Sequence, residues 1–160
     1  MAQSYLGEIK NKPICSYGVQ VSVQGVENIT KGMLVYIGKV NGVSVAPDTG
    51  NIEASRIGMV EIDSDNSQGS LGDKSLEVYK AHCIGVIKLD GTIKVGEIGR
   101  ASTNIAGHGQ ELLLPTDLPE QLEYTKHALF RYLAHPDEYI NAKKQPTDGG
   151  NNDEIVVEFL

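Results

Sequence analysis

The sequence predicts a mainly β fold: a small β-barrel or sandwich of about seven short strands, with one C-terminal helix and a terminal strand or arm. Three observations carry this. Short apolar segments recur with a period of two, turn pairs such as Asn41-Gly42 and Asp90-Gly91 separate them, and no strand-helix-strand alternation precedes Gly107. Eighteen of 160 residues are glycine, about 11 % against a usual ~7 %, which fits a chain that turns often. At this length a single core can bury roughly 70 % of the unfolded surface without disulfides or metal.

Each element has its own signature. In residues 17–24, Val19, Val21 and Val23 face one way and Gln20, Ser22 and Gln24 the other, as a half-buried strand requires. Residues 33–37 and 43–46 form a hairpin about Asn41-Gly42, a pair suited to the positive φ angles of a type I′ turn. Further strands are expected over 56–62, 75–80, 82–89 and 98–102. The stretch Arg56-Ile57-Gly58-Met59-Val60-Glu61-Ile62-Asp63 echoes Cys83-Ile84-Gly85-Val86-Ile87-Lys88-Leu89-Asp90, and a glycine inside each strand marks a bulge or a close crossing. Gly32 and Gly96 lead the chain into apolar stretches.

Beyond residue 109 the pattern changes. Asp117, Pro119 and Glu120 form a helix start, and Leu118, Leu122, Leu129 and Leu133 recur at helical spacing. One helix is expected to run to Ala134, stopped by His135-Pro136 because proline pushes the preceding residue out of the α region. The expected organisation is a β domain over 1–109, a helical extension packed on it over 110–142, a flexible linker over 143–154 and a C-terminal strand over 155–160. The linker has no apolar residue, and its twelve residues span roughly 19 Å on average and at most ~40 Å. Five apolar residues in the last six need a docking place, either in the chain's own sheet or on a neighbouring subunit.

Composition also excludes function classes. A net charge of −7 with no run of lysine or arginine argues against nucleic acid or an anionic membrane as partner. The longest apolar stretches are about five residues, far from the ~20 of a membrane span. Met1 to Glu8 lacks the pattern of a secretory signal, so a cytoplasmic product is expected. Cys15 and Cys83 lack the spacing of a zinc or redox pair and read as core residues.

Catalytic chemistry finds little purchase. Residues 63–69 place oxygen ligands like the start of a calcium loop, but Gln68 and Lys74 occupy the positions that need glycine and glutamate, so no metal is expected. His82, His108, His127 and His135 are available as bases, and a Cys83 nucleophile served by His108 or another histidine stays open, but nothing in the order of residues marks either. The expectation is a non-enzyme without cofactor.

One resemblance adds to this. Ala46-Pro47-Asp48-Thr49-Gly50, then Ile57-Gly58-Met59-Val60-Glu61-Ile62-Asp63, a polar loop and Leu76-Glu77-Val78-Tyr79-Lys80 together resemble the capsid decoration, or cement, proteins of tailed phages. The glycines at 32 and 96 look like the strand-leading glycines of that family's small β-barrels. The likeness spans about residues 23–102, and residues 110–160 depart from the family's short members. It implies a virion protein on the capsid exterior, made in the host cytoplasm. Such a protein binds an icosahedral shell, often as a homotrimer, and clamps neighbouring subunits of the major capsid protein.

On this expectation Ile155, Val156, Val157, Phe159 and Leu160, with Tyr5 and Leu6, make contacts to another chain. The alternative is a small β-barrel module that binds a carbohydrate or other small ligand, with Tyr17, Tyr36 and Tyr79 as stacking faces.

Overall fold

The computed structural model describes residues 3–7, 9–11, 32–37, 45–47, 56–60, 78–79, 83–113 and 127–160. Within them the chain is mainly β, with one short helix. The strands are β1 (Ile9–Asn11), β2 (Leu34–Ile37), β3 (Val45–Pro47), β4 (Arg56–Val60), β5 (Val78–Tyr79), β6 (Ile84–Lys88), β7 (Ile98–Ala101), β8 (Gly109–Glu111), β9 (Phe130–Ala134) and β10 (Glu154–Phe159). The helix α1 is Pro136–Ile140. All strand pairings are antiparallel, in a six-stranded sheet ordered β1-β6-β10-β9-β7-β8 and a four-stranded sheet ordered β3-β2-β4-β5. A single parallel bridge joins Leu89, just after β6, to Gly109 of β8.

The core lies on one face of the six-stranded sheet. Cys83, Ile87 and Leu89 point into it from β6 and its flanks, Phe130 and Tyr132 from β9, and Ile155, Val157 and Phe159 from β10. Leu34 of the second sheet enters the same cluster, and its N–H donates to the Gly107 carbonyl at 2.8 Å. Val86 and Val156 are direct cross-strand partners on the opposite face and are also fully buried. A strand buried on both faces needs an apolar run rather than strict alternation, which is what residues 155–157 supply.

Two glycines make room for an aromatic ring. At Gly99 and Gly109 a Cβ would strike the Phe130 ring, so β7 and β8 pass close beneath it. Gly32 and Gly96 adopt φ of 87° and 84°, a left-handed conformation that side chains resist and that suits a turn delivering the chain to a strand. The two Ile-Gly echoes fall at irregular pairing: the register shifts beside Gly58 in the β2–β4 pair and beside Gly85 in the β1–β6 pair.

Among the described residues, the helix expected to run to Ala134 does not do so. Residues 114–126 lie outside the described residues, His127 is helical, and Phe130–Ala134 is a strand rather than the end of the expected helix. Leu129 and Leu133 do recur at helical spacing, but Phe130, Tyr132 and Ala134 alternate with exposed Arg131 and half-buried Leu133. Pairing with β10 and β7 favours that second period. His135-Pro136 therefore begins a helix instead of ending one.

Strands β9 and β10 sit between β6 and β7, so no domain boundary falls near residue 109. The expected flexible linker is likewise hydrogen-bonded along its length. Asp148 Oδ1 accepts from the Val95 N–H at 3.1 Å, Gly149 bridges to Ile93, and Asn151 Oδ1 accepts from the Gly91 N–H at 2.9 Å. The polar side chains that made the segment look unstructured satisfy backbone donors of the facing turn. Residues 17–24 and 63–69, with Cys15 and His82, lie outside the described residues.

Candidate functional site

The most organised polar cluster forms where β9 runs into α1. Pro136 holds His135 extended, at φ −72° and ψ 157°, so His135 becomes the residue that caps the helix. Three residues on, Glu138 reaches back and its Oε1 accepts from the His135 backbone N–H at 2.9 Å, the reciprocal half of a capping box. The same oxygen lies 2.9 Å from the His135 ring Nδ1. On the ring's other side, Nε2 lies 2.8 Å from Asp153 Oδ2, which the Gly150 N–H holds in place at 2.7 Å.

Two hydroxyls complete the cluster. Tyr132 donates to the Thr147 carbonyl at 2.7 Å and lies 3.2 Å from His135 Nδ1. Thr147 donates its hydroxyl proton to Glu138 Oε2 at 2.6 Å, and its N–H reaches Glu138 Oε1 at 3.2 Å. The cluster thus ties the end of β9, the first turn of α1 and the 147–153 connection to the start of β10.

Its electrostatics follow from this packing. Burial pulls the His135 pKa down, but hydrogen bonds and charge from Asp153 and Glu138 outweigh it and raise the value above 6.5. Burial pushes Glu138 up, and the Thr147 hydroxyl, the His135 N–H and ring and the Thr147 N–H together hold it down to about 2. Burial also pushes Asp153 up, against the His135 ring and the Gly150 N–H, which keep it below the usual range. The Tyr132 hydroxyl is pushed well up by burial and then by the charges of Glu138, Asp153, Asp148 and Asp137.

Chemically, the arrangement binds a proton more readily than it moves one. Thr147, His135 and Asp153 have the outline of a hydroxyl-imidazole-carboxylate relay, with Thr147 Oγ1 3.3 Å from Nδ1. Glu138 stands between them, taking the hydroxyl proton itself and occupying Nδ1. Beside the ring is an open cleft of about 320 Å³ lined by Gln3, Tyr5, His135, Pro136, Asp137 and Glu154. Among the described residues, no group of three His, Cys, Asp or Glu is placed to hold a metal ion.

The residues expected to contact another chain separate into two sets. Ile155, Val156, Val157 and Phe159 are buried within this chain's own sheet. Leu160 is 48 % exposed, while Tyr5 and Leu6 are half-buried beside the start of β10. The Tyr5 N–H and the Ser4 hydroxyl both donate to Glu154 Oε1, at 2.6 and 3.2 Å. Among the alternative's stacking residues, Tyr17 lies outside the described residues, and Tyr36 and Tyr79 are placed by backbone in β2 and β5. Cys83 is a free thiol in the core, and His108, with a pKa lowered by burial and by Lys88 against Asp90, is half-buried near β8.

No family model matches this chain, and no curated protein matches it. Sequence reasoning misses the His135 cluster because it reads His135-Pro136 as a helix stop. The signal was present: His135-Pro136-Asp137-Glu138 has a proline in the first turn and a glutamate three residues after the cap. Among the described residues, no helix is long and apolar enough to cross a membrane.

Proposed function

We infer that this chain is a non-enzymatic structural protein of a virion. It binds the outer surface of an icosahedral phage capsid as a homotrimer and clamps neighbouring major capsid subunits. The observation that carries this reading is where large apolar side chains stay exposed. Ile140 is 60 % exposed on α1, beside the start of β10, and Leu160 is 48 % exposed at the end of β10. Six residues of strand, about 20 Å, separate the two ends. Contact points at both ends of a rigid strand suit a protein that must touch more than one neighbour, and a trimer multiplies such weak contacts. In this reading the six-stranded sheet curls into a small barrel, supported by the Leu89–Gly109 bridge and the 2.7 Å bond from the Asp90 N–H to the Gly109 carbonyl.

The test is co-sedimentation of the purified chain with purified empty phage shells. The reading predicts saturation at a fixed number of copies per shell and a higher shell melting temperature. A chain that stays in the supernatant at every concentration contradicts it. A second reading, a module for a small polar ligand, draws on the cleft beside Tyr5, whose volume is at the small end of ligand pockets. It predicts saturable binding of a sugar that Tyr5→Ala abolishes.

A further inference from the structure

We propose that His135 is a proton-operated latch: its doubly protonated ring clamps α1 and the 141–153 connection to the start of β10, and loss of one proton releases the α1 side.

The geometry carries this. Each ring nitrogen lies within 2.9 Å of a carboxylate oxygen, Nδ1 against Glu138 and Nε2 against Asp153. Ionised carboxylates only accept hydrogen bonds, so both contacts are favourable only when both nitrogens carry protons. A neutral imidazole has one proton, and its bare nitrogen then faces a carboxylate oxygen at hydrogen-bond distance. The two sides are not equivalent. Near Nδ1 are two hydroxyls able to donate instead, Tyr132 at 3.2 Å and Thr147 at 3.3 Å, whereas among the described residues no second donor lies at Nε2. Deprotonation therefore falls on Nδ1, keeps the Asp153 bond and turns a Tyr132 or Thr147 hydroxyl toward the ring. That draws a donor away from the Thr147 carbonyl, where the connection is held to β9, or from Glu138 Oε2, one of the contacts that hold the connection against α1 beside the Thr147 N–H and Lys144 bonds.

The surroundings favour the charged ring. From α1 it is faced by Glu138 and Asp137, from the turn before β10 by Asp153, from β9 by the neutral Tyr132 hydroxyl, and across the cleft by Glu154 and Tyr5. On the connection, Lys144 is paired with Asp137 at 3.0 Å. With 21 % of its side chain exposed, the ring also exchanges protons with solvent.

The experiment uses the full chain. Long-range proton–nitrogen NMR spectra of the His135 ring are followed from pH 5 to pH 10, alongside amide hydrogen exchange corrected for its intrinsic pH dependence. The expected result is a midpoint above 6.5, with the ring protonated on both nitrogens below it. Above the midpoint, amides of residues 136–148 should lose protection while those of β6 and β10 keep it. Asp153→Asn should lower the midpoint. A wild-type midpoint at or below 6.5, or deprotonation with no change in exchange over 136–148, overturns the latch, and neither outcome requires the variant to fold.

Discussion

Phe130 shows how closely single residues constrain this chain. Its ring occupies the space that a side chain at Gly99 would need, so Gly99→Ala forces the ring or β7 to move. Overpacking of this kind costs typically 1–3 kcal/mol, which for a chain of this size lowers the melting temperature by roughly 2–4 °C per kcal/mol. Thermal unfolding checks it, and an unchanged midpoint would show that the ring is not held there. The His135 cluster sets a second expectation, on pH. Glu138 and Asp153 have lowered pKa values, so their contribution is full above the unfolded values of 4.5 and 3.8 and fades as pH falls through the folded ones. His135 has a raised pKa, so its contribution is full below 6.5 and fades as pH rises through the folded value. Urea unfolding across pH should therefore give greatest stability between about 4.5 and 6.5, with losses on both sides, and His135→Gln should flatten the alkaline loss. These residue-level features were only partly legible. Glycine inside a strand announced a close approach, but nothing local says which ring will approach it. The proline after His135 was visible, whereas its partner Asp153 lies 18 residues away and meets it only through sheet pairing.

At the scale of elements, the decisive one is β10. Its four buried apolar side chains, Ile155, Val156, Val157 and Phe159, each contribute about 1.5–3 kcal/mol by leaving water. Together that is about 6–12 kcal/mol, similar to the whole net stability of an ordinary domain at 5–15 kcal/mol. Removing residues 155–160 should therefore abolish cooperative unfolding rather than detach an arm, as followed by circular dichroism on heating. A truncated chain that still melts cooperatively near the wild-type midpoint would place the strand outside the core. The terminal strand was legible because an apolar run at a polar boundary must be buried somewhere. Its position between β6 and β9 was not, since an edge strand, a central strand and an exchanged strand share one local pattern. The neighbouring segment misled for a related reason: Phe130 to Ala134 satisfies a strand period while Leu129 and Leu133 satisfy a helical one. Only the partners β10 and β7 decide between them.

For the whole molecule, surface and assembly matter more than any one cluster. A chain with net charge −7 repels its own copies and anionic surfaces, so on the proposed reading its association draws on apolar contacts. Among the described residues these are available at Leu113, 72 % exposed, as well as at Ile140 and Leu160. Acidity and the β class could be read from the sequence because both depend on composition and short-range order. The contact surface could not, because exposure is settled only after the sheets have paired. The most direct measurement is absolute mass in solution by light scattering over a wide concentration range. A trimeric surface protein gives about 52 kDa, three times the chain mass of 17.3 kDa, whereas 17.3 kDa at every concentration would contradict the account.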